Sequence, residues 1–332
     1  KEHRENALTA MDEKNYKIAI VNSSTFGRYF SDLMKRLEKI GEVNRFDFDS
    51  SIDGDKLAEE LADYNFIIAS VNPHFSREFF EKNDSVKLIA RHGIGYDNVD
   101  IEAATENGVI VTNVLGIHER DAVAELAISL IMTCIRDIVP AQDSVVSDQW
   151  ELRRNFVGNE VSKKTVGIIG YGNIGSRTAE ILKEGFKTEL LAYYPYIADA
   201  VIEKNGIKAV SFNEIIQESD ILSLHASLNQ DNYHFIGKEE FQLMKDDVII
   251  VNTARGELMV EEELAEAVKA GEVAAVGLDV AENEPMPNDN PLVGLDNVLI
   301  VPHIGGYTDY SLREMDEKMV IDVENYVSGD EL

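Results

Sequence analysis

Short, uninterrupted apolar runs separated by amphipathic stretches limit this chain's fold more than any other feature. The first series is Lys17-Ile18-Ala19-Ile20-Val21, then a helical pattern through Leu33, Leu37 and Ile40, then runs at 66–70, 88–90 and 109–112. Half-exposed strands alternate polar with apolar residues, whereas strands covered on both faces of a parallel sheet read as continuous apolar runs. A second series occupies 165–169, 189–193, 221–224, 248–251, 274–278 and 298–301, again with helical patterns between. The alternation predicts an α/β chain of two doubly wound parallel-sheet domains, with ligands beyond the carboxyl ends of the strands.

The run at 165–169 leads directly into Gly170-Tyr171-Gly172-Asn173-Ile174-Gly175, with a helix expected from about Asn173. In that setting the three glycines have separate uses. Gly170 permits the tight turn, Gly172 lets backbone approach a pyrophosphate, and Gly175 lets the helix pack closely on the strand. The helix N-terminal amides at Asn173 and Ile174 attract the phosphates. The turn therefore predicts a dinucleotide-binding Rossmann domain. An acidic residue is expected about 20 positions on, to accept from the adenosine ribose. Tyr194 stands there instead, with no charge to repel a 2'-phosphate, and no arginine follows to grip one. NAD is the expected cofactor, with NADP or dual use as the alternative.

At 332 residues the chain exceeds what one core usually supports. A long apolar-rich helical segment at 121–138 reads as a connector, and an amphipathic stretch at 311–327 has no following strand. The expected division is a flavodoxin-like domain over 1–114, the Rossmann domain over 115–305, and a terminal helix over 306–332 that returns to the first domain. The segment at 121–138 is too apolar for a solvated connector, so it predicts burial against a second subunit in a homodimer.

Sixty-one acidic against 31 basic residues give a formal charge of -30, which repels nucleic acid and anionic membrane. Cys134 is the single cysteine and sits in an apolar run, where a thiol packs as a small hydrophobe. No apolar stretch approaches the roughly 20 residues that span a bilayer, and no signal-like segment opens the chain, so a cytoplasmic protein is expected. The polar residues before Met11 read as an extension or tag. Seven histidines show no metal-ligand spacing, so no metal is expected.

Three later segments follow strands and carry titratable groups: Asn252-Thr253-Ala254-Arg255-Gly256, Asp279-Val280-Ala281-Glu282-Asn283-Glu284-Pro285 and Pro302-His303-Ile304-Gly305-Gly306. With these motifs in this order, from about Lys17 to its end, the chain resembles the D-isomer-specific 2-hydroxyacid dehydrogenases. That family includes D-lactate, glyoxylate/hydroxypyruvate and 3-phosphoglycerate dehydrogenases. The resemblance implies reversible hydride transfer from a nicotinamide cofactor to a small 2-keto acid, giving the (R)-2-hydroxy acid. His303 would be the general acid and base and a substrate contact, since imidazole titrates near working pH. Glu284 would be its partner, with Glu282 the nearby competitor. Arg255 would hold the substrate carboxylate and keto oxygen in its planar fork.

By the same resemblance, Arg91-His92-Gly93-Ile94-Gly95-Tyr96-Asp97-Asn98-Val99-Asp100 is the substrate-carboxylate loop of a substrate-binding first domain, acting through amides at Ile94 and Gly95. His92 has no assigned role. Thr253, Ala254, His225, Asp279 and Gly305 would flank the cofactor. Two features depart from the family pattern: Ser227 replaces a usual proline, and Gly116-Ile117-His118-Glu119-Arg120 replaces a shorter linker. The alternative function is a nucleotide-sensing, non-catalytic binding protein resembling the co-repressors built on this fold.

Overall fold

The computed structural model describes residues 16–332, and the polar stretch before Met11 lies outside the described residues. The chain divides into two compact units. One comprises residues up to Glu119 with Gly306–Leu332, and the other is Arg120–Gly305.

The first unit holds a parallel sheet of β1 (Tyr16–Val21), β2 (Gly41–Phe46), β3 (Phe66–Ala69), β4 (Leu88–Arg91) and β5 (Ile110–Asn113). Their order is β2-β1-β3-β4-β5, the flavodoxin-like arrangement. Ile18, Ile20, Phe66 and Ile68 face helices Ser31–Glu38 and Asp309–Ser328, through Leu33, Leu37, Met315 and Met319. Ala19, Val21, Ile67 and Ala69 face the opposite way, onto Leu57, Phe75, Phe79 and Ala103. Burial on both faces is why these strands read as unbroken apolar runs. Strand β2 lacks that signature, because it forms the sheet edge and is only half-buried. Gly41 at its start touches β1 so closely that a Cβ would lie 1.9 Å from the Tyr16 carbonyl oxygen.

The second unit holds β6 (Thr165–Ile169), β7 (Glu189–Tyr193), β8 (Lys208–Ala209), β9 (Ile221–Leu224), β10 (Val248–Asn252), β11 (Val273–Leu278) and β12 (Val298–Ile300). All pair parallel, in the order β12-β11-β10-β9-β6-β7-β8. This is the Rossmann order with one further strand, and its direction reverses between β6 and β9. Ligand-binding crevices open at such reversals, beyond the strands' carboxyl ends.

The connecting helix differs from expectation. It spans Gly116–Ile135, so Gly116-Ile117-His118-Glu119-Arg120 is its first turn rather than a separate linker. It ends before 138 because Asp137 takes a φ of +49°, and a second helix, Ile138–Val146, follows. Ala127, Leu130, Ile131, Cys134 and Ile135 pack with Val166, Ile168 and Val251 in the second unit's core. The apolarity read as a subunit contact is thus absorbed within the chain. Among the described residues, no helix is long and apolar enough to cross a membrane.

Candidate active site

The crevice of the second unit is built from the backbone outward. Gly170 follows β6 with a φ of +94°, and a Cβ on it would press to 2.5 Å from the Ala226 nitrogen just past β9. Gly175, in the helix Asn173–Ile181, lies so close that its Cβ would stand 1.9 Å from the Gly170 carbonyl oxygen. These two glycines close the turn onto its neighbours. Gly172 differs: apart from its chain neighbours, none of the described residues lies within 4 Å of where its Cβ would be. No side chain caps this helix, and the amides of Asn173, Ile174 and Gly175 find no acceptor among the described residues. Open space in front of unpaired helix amides is the form of a phosphate site.

Tyr194 follows β7, and its ring meets Tyr196 edge-on at 5.4 Å. The Tyr196 hydroxyl accepts from Asn229 Nδ2 at 3.0 Å. His225, after β9, donates its backbone N–H to the Ile169 carbonyl at 2.7 Å, and its Nε2 lies 2.9 Å from Ser223 Oγ. Burial pushes its pKa down to about 3, so the ring is neutral, and its Nδ1 has no partner among the described residues. Ser227 is tied by its carbonyl to Asn232 Nδ2 at 2.8 Å.

Asn252, fully buried at the end of β10, accepts from the Ala254 N–H at 2.9 Å and donates to the Arg255 carbonyl at 2.7 Å. That bracket shapes the Thr253-Ala254-Arg255 turn. The sequence reading missed Asn252, although an Asx residue opening such a turn is a recognisable signal. Thr253 Oγ1 is buried without a partner among the described residues, and Arg255 Nη1 donates to the Ala254 carbonyl at 2.6 Å.

Asp279 shapes the loop that bears His303. Its two oxygens accept from the N–H groups of Ile304 at 2.6 Å and Gly305 at 2.8 Å. Burial raises its pKa to about 6, although those amides and His303 favour the charged form. His303 itself takes a φ of +52°, an uncommon conformation for a side-chain-bearing residue and one that clusters at functional sites. Its Nδ1 lies 2.7 Å from Glu284 Oε2, and Glu284 Oε1 accepts from the Ala281 N–H at 3.1 Å. The carboxylate is therefore anchored on one oxygen and presents the other to the imidazole. Glu282, two residues away, faces elsewhere. Its Oε1 lies 2.9 Å from His234 Nε2 and accepts from the Glu261 N–H at 3.1 Å, while the Glu282 N–H donates to Glu261 Oε1 at 2.7 Å.

Ile94 and Gly95 belong to the first unit, where their N–H groups find no acceptor among the described residues.

The family model for the NAD binding domain of D-isomer specific 2-hydroxyacid dehydrogenases matches residues 128–305. The chain belongs to this family. It is 39% identical over 279 residues to D-3-phosphoglycerate dehydrogenase of Methanocaldococcus jannaschii, covering 84% of this chain and 52% of the relative. The chain thus spans about half that relative's length. Glyoxylate reductase of Thermococcus litoralis is 34% identical over 303 residues, covering 90% of this chain and 91% of that one. A solved D-lactate dehydrogenase of Aquifex aeolicus, complexed with NAD and lactic acid, is similar with a TM-score of 0.83. It is 27% identical and covers 94% of this chain and 96% of that one. The matched 2-hydroxyacid dehydrogenase domain binds NAD, and the residues here fit that cofactor. Among the described residues, the open space at Gly172, the amides of Asn173 and Ile174 without acceptors, and the buried Thr253 Oγ1 without a partner suit a polar ligand.

Proposed function

We propose that the chain is an NAD-dependent 2-hydroxyacid dehydrogenase that interconverts a small 2-keto acid and its (R)-2-hydroxy acid. The observation that carries this reading is the His303–Glu284 pair, 2.7 Å apart on the rim of a dinucleotide crevice. Bound NADH supplies the hydride. His303 supplies the proton: Glu284 holds Nδ1, so Nε2 gives its proton to the keto oxygen and takes one back in the reverse direction. Arg255 faces the same oxygen and the neighbouring carboxylate with its planar fork. Gly170, Gly172, Asn173, Ile174 and Gly175 hold the pyrophosphate, Tyr194 faces the ribose, and Thr253, Ala254, His225, Asp279 and Gly305 flank the nicotinamide. The amides of Ile94 and Gly95 bind the substrate carboxylate.

The substrate class follows the relatives' names, which include glyoxylate and hydroxypyruvate reductases. The test is NADH oxidation with pyruvate, glyoxylate, hydroxypyruvate, phenylpyruvate and 2-ketoisocaproate. Turnover with at least one is expected, and His303→Gln should lower kcat by about 10²- to 10⁴-fold. Nucleotide binding with no turnover would instead favour a non-catalytic sensor. We also assign a homodimer to this chain, formed through the exposed apolar side chains of Ile138, Val145, Val146 and Trp150.

A further inference from the structure

His92 immediately precedes Gly93-Ile94-Gly95, and the first unit holds it from several directions. Its N–H donates to the Ala69 carbonyl at 2.8 Å, and its own carbonyl accepts from Arg91 Nη1 at 2.6 Å. The Phe26 ring meets the imidazole edge-on at 5.4 Å. Its Nε2 lies 2.9 Å from Oδ1 of Asp316, which the helix Asp309–Ser328 carries. Both side chains are buried, at 4% and 1% exposure. The second Asp316 oxygen accepts from the Gly27 N–H at 2.9 Å.

A carboxylate this deep is costly to desolvate, and an apolar pair of equal volume would serve stability at least as well. What the polar pair supplies is direction. It fixes one end of a loop whose carbonyls are already tied back: that of Gly93 accepts from the Val114 N–H at 3.1 Å, and that of Ile94 from Asn113 Nδ2 at 2.7 Å. The N–H groups of Ile94 and Gly95 are left without an acceptor among the described residues. We propose that His92 and Asp316 are a positioning pair that holds these two amides in place for the substrate carboxylate. This rests on the reading of the loop given under Proposed function.

Oxalate, a dicarboxylate with no reactive carbonyl, is the probe. Its binding to the NAD-loaded protein is measured by calorimetry, beside the steady-state KM and kcat for the keto acid. His92→Leu keeps the bulk and loses the ring nitrogen, His92→Gln returns an N–H donor, and Asp316→Asn keeps the shape. His92→Leu and Asp316→Asn should each weaken oxalate binding and raise KM about tenfold, the value of one well-placed hydrogen bond, with kcat nearly unchanged. His92→Gln should regain most of that loss. NAD binding, read in the second unit, should stay unaltered in all three. Should His92→Leu fail to fold, Asp316→Asn reads the same contact. Oxalate affinity within roughly twofold of the parent in the folded variants overturns the proposal. So does a loss that His92→Gln does not restore, which marks a packing role. If the parent protein takes up no oxalate, the carboxylate-loop reading falls and the pair's role with it. If oxalate responds as expected while His303→Gln keeps full turnover, only the acid–base assignment fails.

Discussion

Burial holds the Asp279 carboxyl near a pKa of about 6, against an ordinary value of 3.8. A carboxyl raised by folding binds its proton more tightly in the native state. Its contribution to stability is therefore full below about pH 4 and is lost as pH rises through about 6. A shift of about two units corresponds to no more than about 3 kcal/mol. His225 acts in the opposite sense: lowered from 6.5 to about 3 by burial, it withdraws stability as pH falls below 6.5. That contribution is common to the parent and to Asp279→Asn, which cannot ionise, so their difference isolates Asp279. Urea unfolding from about pH 4 to pH 7 should show the parent losing stability relative to Asp279→Asn, and parallel curves would contradict the assignment. Glu284 and Glu282 were inseparable by residue type alone; the resemblance favoured Glu284, and the structure parts them by what each touches. Glu284→Gln keeps the shape and drops the charge beside His303, so kcat should fall roughly 10²-fold with NADH binding intact. An unchanged kcat would mean that the imidazole needs no carboxylate to orient it. The Glu282 contacts with His234 and Glu261 join segments far apart in sequence, so no local pattern announces them.

The glycine turn separates two roles that a motif cannot. At Gly172 the backbone has an ordinary negative φ and empty space where a side chain would grow, so the fold itself tolerates Gly172→Ala. On the reading proposed above, the added methyl would occupy the approach of the pyrophosphate. NADH affinity should drop at least about tenfold while the thermal midpoint shifts by no more than about 2 °C. At Gly175 the methyl would collide with the Gly170 carbonyl oxygen, which is backbone and cannot step aside. Gly175→Ala should lower the midpoint itself, by about 4 °C or more. Equal midpoints for the two variants would show that the turn is looser than its contacts imply. The same contrast explains what was legible elsewhere. Strands β1, β3, β4, β6, β7 and β9 were readable because two buried faces demand continuous apolar residues. The edge strand β2 was hidden by its polar alternation, and β8 by having only two residues, Lys208 and Ala209. The helix Gly116–Ile135 begins ahead of its apolar pattern, because its first turn is exposed to polar contacts, with His118 3.2 Å from Glu314 of the terminal helix.

Each unit needs its own core, and the second already consumes the apolar side chains of the helix Gly116–Ile135. What is left for association lies just beyond it, where Val146 is 75% exposed, Trp150 65% and Val157 80%. Exposed apolar groups concentrated on one segment mark an association surface more often than a solvated one. Each copy also carries a formal charge of -30, so two copies repel as they approach. Burial of the apolar segment would favour the proposed dimer, and long-range charge would oppose it. Salt distinguishes these terms, because the screening length shrinks from about 10 Å at 0.1 M to about 3 Å at 1 M while burial is little changed. Sedimentation velocity at micromolar concentration should show a dimer whose dissociation constant tightens as sodium chloride is raised. Val146→Glu with Trp150→Glu should give a monomer that still binds NADH, since neither residue belongs to the crevice. A dimer that loosens with salt would mean that cross-subunit ion pairs hold it, and a doubly substituted protein that remains dimeric would place the interface elsewhere.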